Sequence, residues 1–171
     1  MTYTRVFIHG LESSGRGTKG VFFSRKYQGM VIEDFTGPLE ERMLKLEKLL
    51  EGRSGLILVG SSYGGLMAAL YTCAHPETVA KLVLLAPALD LPDFDHCLDK
   101  RLYTPTELFH GCNDDVVSPG PVREKAQKIF RNLNYHLVDD DHPLTRTFPD
   151  MDWDALLEAG EAYGIRPAGL K

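Results

Sequence analysis

Apolar positions along this chain fall into two patterns: short unbroken runs, and longer segments with apolar residues three or four apart. Arg5–His9, Met30–Phe35, Leu56–Val59, Lys81–Ala86, Glu107–His110 and Tyr135–Val138 are of the first kind and predict strands. Pro38 to Glu51 is of the second kind. Leu39, Met43, Leu46 and Leu50 share one helical face, and Pro38 suits a first helical position. Tyr63–His75, Pro121–Arg131 and Trp153–Tyr163 predict three further helices, the first ended by Pro76. Strands alternating with helices argue for βαβ units and a parallel sheet. The strand runs lack a period of two, as expected when helices cover both faces. The expected fold is therefore α/β, a three-layer α/β/α sandwich with a mostly parallel sheet. No repeat, low-complexity tract or Pro/Gly/Ser linker divides the chain, so residues 1–171 are expected to form a single domain.

In open sheets of this kind, sites gather at the carboxyl ends of the strands. The Leu56–Val59 run is followed at once by Gly60-Ser61-Ser62-Tyr63-Gly64-Gly65 and an apolar helix. In register this is G-x-S-x-G, with Ser62 at the centre and Ser61 out of phase. A strand that turns directly into a helix needs small residues two before and two after the turn. The central hydroxyl is then left above the sheet at the helix start. A bland alternative is an ordinary glycine-rich strand-to-helix turn.

A serine hydroxyl is a weak nucleophile without a base, and the base needs an orienting acid. In this topology the order is serine, acid, histidine. His75 ends a helix, His96 lies in an Asp-rich stretch, and His136 falls inside the last strand. His142 follows that strand, where the base must stand. The acid should come from the turn after Glu107–His110, where Asp114 and Asp115 compete and residue chemistry does not separate them. Acyl transfer also needs two donors for a developing oxyanion. The backbone N–H of Tyr63 is one candidate. That of Leu11, in the loop after the first strand, is the other. His9 precedes Ser62 and reads as structural. Gly15 to Gly20 contains G-x-G-x-x-G, but five residues beyond Gly10 and with no evident acidic ribose partner, which is weak support for a phosphate site.

Composition narrows the classes. With 43% hydrophobic and 25% charged residues, the chain is neither disordered nor a fibrous repeat. Its 19 Lys+Arg against 24 Asp+Glu leave a net charge of −5, a poor basis for binding nucleic acid or an anionic membrane. Arg16, Lys19 and Arg146 could still draw an acidic substrate to the site, although solvated surface charge is the simpler reading. Cys73, Cys97 and Cys112 are odd in number and widely spaced, with no zinc or C-x-x-C pattern. Reduced thiols in a cytoplasmic compartment are expected. There is no basic-then-apolar leader, and Leu56–Val59 and Leu82–Ala88 are too short to span a membrane.

Together these residues resemble the α/β-hydrolase superfamily, from Val6–Gly10 to His142, and most of all its small lidless esterases of the YqiA type. Those proteins share a strand ending in His-Gly, a small-residue loop with two serines, and a Gly-Ser-Ser-x-Gly-Gly elbow. The resemblance implies a minimal α/β-hydrolase fold without a cap domain. Its His-Gly-x-x-Asp-x-Val-Val motif, aligned on His110, Gly111, Val116 and Val117, selects Asp114 over Asp115. Its base is His142, and its oxyanion donors are Leu11 and Tyr63. Two departures stand out: the sequence is expected to lack the antiparallel edge strands that usually precede the first His-Gly, and Pro87–Thr106 is too short for a helical cap.

The function expected is a serine hydrolase of a small carboxylic ester or thioester, working through an acyl-enzyme on Ser62, Asp114 and His142. No cofactor or metal is expected, the partner being a small-molecule substrate, with the oligomeric state left open. Two other functions compete. One is an acyltransferase passing the acyl group to an acceptor other than water. The other is a non-catalytic protein that keeps only the fold.

Overall fold

A computed structural model of the chain describes residues 3–160. Its elements, in order, are β1 (Thr4–Ile8), α1 (Thr18–Lys26), β2 (Val31–Ile32), α2 (Leu39–Leu50), β3 (Leu56–Ser61), α3 (Tyr63–Ala74) and β4 (Val79–Leu85). There follow a 3₁₀ segment (Pro92–Cys97), β5 (Thr106–Gly111), α4 (Pro119–Ile129), β6 (Leu133–Val138) and two short helices, α5 (Thr147–Asp150) and α6 (Trp153–Leu156). The strands form a six-stranded sheet in the order β2-β1-β3-β4-β5-β6. Every pairing is parallel.

The strand sequences explain the layers. Successive side chains of a strand point to opposite faces. Leu56 and Leu58 enter one core with Leu46 and Leu50 of α2, Leu66 of α3 and Val122 of α4. Ile57 and Val59 enter the other with Phe23 of α1, Phe148 of α5 and Trp153 of α6. An unbroken apolar run is what a strand buried on both faces requires. Among the described residues, no helix is long and apolar enough to cross a membrane.

The chain departs from the sequence expectations in several places, the unpredicted 3₁₀ segment and α5 among them. α1 was not foreseen, because Gly17, Thr18 and Gly20 are poor helix formers. Its stability is tertiary: Phe23 is fully buried, with its ring centroid 5.0 Å from Phe7 and 4.8 Å from Trp153. β2 pairs over only two residues, because Phe35 leaves the sheet edge to enter the core beneath α2. The last helix stops at Leu156, and the part expected beyond residue 160 lies outside the described residues. Cys73 and Cys97 are joined in a disulfide, with Cα atoms 6.3 Å apart, which corrects the expectation of three reduced thiols. The 24-residue separation hides a contact made only when the 3₁₀ segment packs on α3. This bridge removes the ground on which a reducing compartment was expected.

Candidate active site

The parallel register brings the carboxyl ends of β1, β3, β5 and β6 to one edge: Ile8 is level with Gly60, Ser61 with Leu85, and Gly111 with Val138. Between β3 and α3 the chain turns at Ser62, whose φ of 55° and ψ of −116° lie where a residue with a side chain is strained. The surroundings over-determine that conformation. The Ser62 N–H donates to the Leu85 carbonyl at 2.9 Å. Its carbonyl accepts from the N–H groups of Gly65, Leu66 and Ala88 at 2.9, 3.1 and 3.0 Å. The glycines give the space. A Cβ on Gly60 would stand 2.7 Å from the Cα of Gly65, and one on Gly64 would run into the carbonyls of Ile8 and His9.

The structure brings the three sequence-selected side chains together. His142 Nε2 lies 2.9 Å from Ser62 Oγ, and His142 Nδ1 lies 2.7 Å from Asp114 Oδ2. The Asp114 side chain is fully buried and that of His142 nearly so. Burial pushes the Asp114 carboxyl up. Hydrogen bonds from the Val117 N–H, the His142 ring and the Val116 N–H outweigh it, so the group sits below its ordinary range. The fixed partner on Nδ1 leaves Nε2 free to accept the serine hydrogen. Asp115 is exposed, and the residue at the N-cap of α4 is Ser118.

The loop after β1 borders the same hydroxyl. A Cβ on Gly10 would stand 3.4 Å from Ser62 Cβ and 3.9 Å from its Oγ, and Leu11 follows immediately. His9 fixes this loop. Its Nε2 accepts from the Phe35 N–H at 2.8 Å, so Nδ1 carries the hydrogen and donates to the Gly10 carbonyl at 2.7 Å. Tyr63 opens α3, where backbone N–H groups at a helix start face outward with the positive end of the helix dipole.

One residue was missed, and two others take a role that was not foreseen. Asp140 is buried and its carboxylate accepts the N–H groups of Asp141, Arg146 and Thr147 at 2.9, 3.0 and 2.7 Å, which shapes the loop carrying His142. Burial raises its pKa, but bonds from Thr147, Asp141 and Arg146 prevail and hold it at about 2. Lys19 donates to the Pro143 carbonyl at 2.6 Å, tying α1 to the same loop. Arg146 lies against Asp139 and Asp140. Two of the three cations considered for steering are thus engaged with the histidine loop. No sequence signal separates Asp140 from its neighbours Asp139 and Asp141.

His75 and His136 lie away from the site, as expected. His75 pairs with Glu47 at 2.9 Å, and His136 pairs with Glu107 at 2.7 Å while stacking on Phe109. One surface cavity of about 720 Å³ is lined by Arg16, Thr18, Val21, Phe22, Arg25 and Lys26; it does not include Ser62.

Comparison with solved structures returns an alpha/beta superfamily hydrolase from Oenococcus oeni PSU-1. It shares 15% identity over 93% of each chain, with a TM-score of 0.75. Mouse alpha/beta hydrolase domain-containing protein 10 aligns with a TM-score of 0.70 and 22% identity, over 84% of this chain and 83% of that one. An esterase from Pyrococcus furiosus aligns with a TM-score of 0.67 and 19% identity, over 90% and 79%. These likenesses establish the fold. No curated protein matches in sequence. The family model for the alpha/beta hydrolase fold matches residues 36–155, a span that includes Ser62, Asp114 and His142. With that match over most of its length, the chain belongs to the alpha/beta hydrolase fold family.

Proposed function

We propose that the protein is a serine hydrolase of small carboxylic esters or thioesters, a lidless esterase in the manner of the YqiA type. The observation that carries this reading is the continuous hydrogen-bonded chain from Ser62 Oγ through His142 to Asp114 Oδ2. Ser62 Oγ attacks the acyl carbon as its hydrogen passes to His142 Nε2. The carbonyl π electrons move to oxygen, and the N–H groups of Leu11 and Tyr63 receive that charge. Asp114 offsets the charge on the imidazolium without taking its proton. Collapse of the adduct breaks the bond to the alcohol or thiol, which leaves with the His142 proton. Water then attacks the acyl-enzyme, giving its proton to His142, which returns it to Ser62 as the acid departs.

An acyltransferase would use the same acyl-enzyme with another acceptor. The test is hydrolysis of p-nitrophenyl acetate and a short acyl thioester, with products analysed in the presence and absence of a small alcohol. Acid as the dominant product, and its loss in Ser62→Ala, supports hydrolysis. Ester exchange as the dominant outcome favours the transferase, and no turnover of any acyl donor favours a protein that keeps only the fold.

A further inference from the structure

His110 is a buried titratable group that the steps above do not use. It lies on β5, fully buried, directly before Gly111 and the acid turn. Its Nε2 is 2.9 Å from the Val117 carbonyl oxygen and 3.0 Å from Asp114 Oδ2. Both neighbours are acceptors, so Nε2 carries the hydrogen. The Val117 carbonyl receives it, and the carboxylate oxygen sits beside the same N–H edge. Nδ1 has no hydrogen-bond partner among the described residues. The ring is thus satisfied only on the side facing the acid turn.

The Asp114 carboxylate is held at both ends. Oδ1 accepts the N–H groups of Val116 and Val117. Oδ2 lies between His142 Nδ1 and His110 Nε2. His110 therefore acts twice on one group, fixing the carbonyl of the residue whose N–H binds Oδ1 and bordering Oδ2 with a donor edge. We propose that His110 is a positioning residue, whose Nε2–H edge, lodged between Val117 O and Asp114 Oδ2, sets the rotation of the Asp114 carboxylate and through it the ring of His142. This inference rests on the serine-hydrolase reading.

The test uses the full chain with p-nitrophenyl acetate and a fluorophosphonate label. Gln places its amide nitrogen near the position of the imidazole Nε2 and has two hydrogens for the two acceptors. Asn places its nitrogen near Nδ1, where no partner waits, and Leu has no donor. His110→Leu and His110→Asn should lose at least about tenfold in kcat with KM within about twofold, and His110→Gln should recover most of the loss. On an Asp114→Asn background the same changes should cost less than about twofold, because the group they act through is gone. If His110→Leu does not fold, the comparison of Gln with Asn still decides. Wild-type turnover in His110→Asn, a His110→Gln as slow as His110→Asn, or an undiminished loss on the Asp114→Asn background overturns the role of His110. A wild-type chain that neither turns over nor takes the label overturns the underlying hydrolase reading, and His110 with it.

Discussion

Asp114 and His142 are joined by a 2.7 Å hydrogen bond from Nδ1 to Oδ2, while the other oxygen of Asp114 is committed to the N–H groups of Val116 and Val117. The carboxylate cannot swing from the ring without breaking its turn. Asp115, one residue on, is exposed. An amide at 114 can still accept from the turn but no longer accept from Nδ1–H, which leaves the wrong tautomer favoured. Asp114→Asn should therefore fold and lose up to about 10⁴ in kcat at neutral pH. Asp115→Asn should keep wild-type turnover. Measuring kcat and melting temperature for both separates the roles, and an active Asp114→Asn beside a dead Asp115→Asn would reverse them.

Ser61 and Ser62 test the phase of the elbow. Ser61 still belongs to β3, level with Leu85, whereas Ser62 is the strained residue whose hydroxyl meets His142. Ser62→Ala should abolish ester hydrolysis with the fold intact, and Ser61→Ala should retain substantial activity. Comparable losses in both variants, with matching far-ultraviolet spectra, would count against Ser62.

The Asp140 carboxylate gives a pH signature in stability. Its folded pKa of about 2 lies below the ordinary 3.8, so its contribution is complete above the ordinary value and is lost as pH falls through about 2. Asp140→Asn should cost about 2 kcal/mol near neutral pH. The gap between variant and wild type should narrow steadily from pH 4 toward pH 2. Chemical denaturation across that range checks it; a gap that stays constant to pH 2 would mean that the carboxylate's charge is not what holds the loop.

Much of this site could be read from the chain because it depends on local constraints. Gly60, Ser62 and Gly64 stand at fixed offsets on one strand-to-helix turn, and His142 follows a strand end, so topology brings them together. Choosing Asp114 over Asp115 needed a family spacing, because neighbouring acids in a turn have the same chemistry. What stayed hidden depends on tertiary contact. α1 is held by Phe23 against Phe7 and Trp153 rather than by propensity. Asp140 differs from Asp139 only in being buried. The pairing of Cys73 with Cys97 follows from how the 3₁₀ segment lies on α3.

Substrate size should follow from what covers the site. The stretch between β4 and β5 contains only the 3₁₀ segment Pro92–Cys97, tied down through Cys97 to α3 and through Asp95 to Lys125. Deep burial of a long acyl chain needs a roof, and this stretch is too short to supply a helical one. In a series of p-nitrophenyl esters, kcat/KM should peak at short acyl groups; a maximum at long chains would contradict an open site.

The most direct measurement is covalent. A fluorophosphonate takes the place of the acyl group and forms a stable bond only with an activated serine. Mass spectrometry of the labelled chain should place the adduct on Ser62, with labelling lost in Ser62→Ala and slowed by orders of magnitude in His142→Ala. An adduct on Ser61 or elsewhere, or an unlabelled folded protein, would contradict the account.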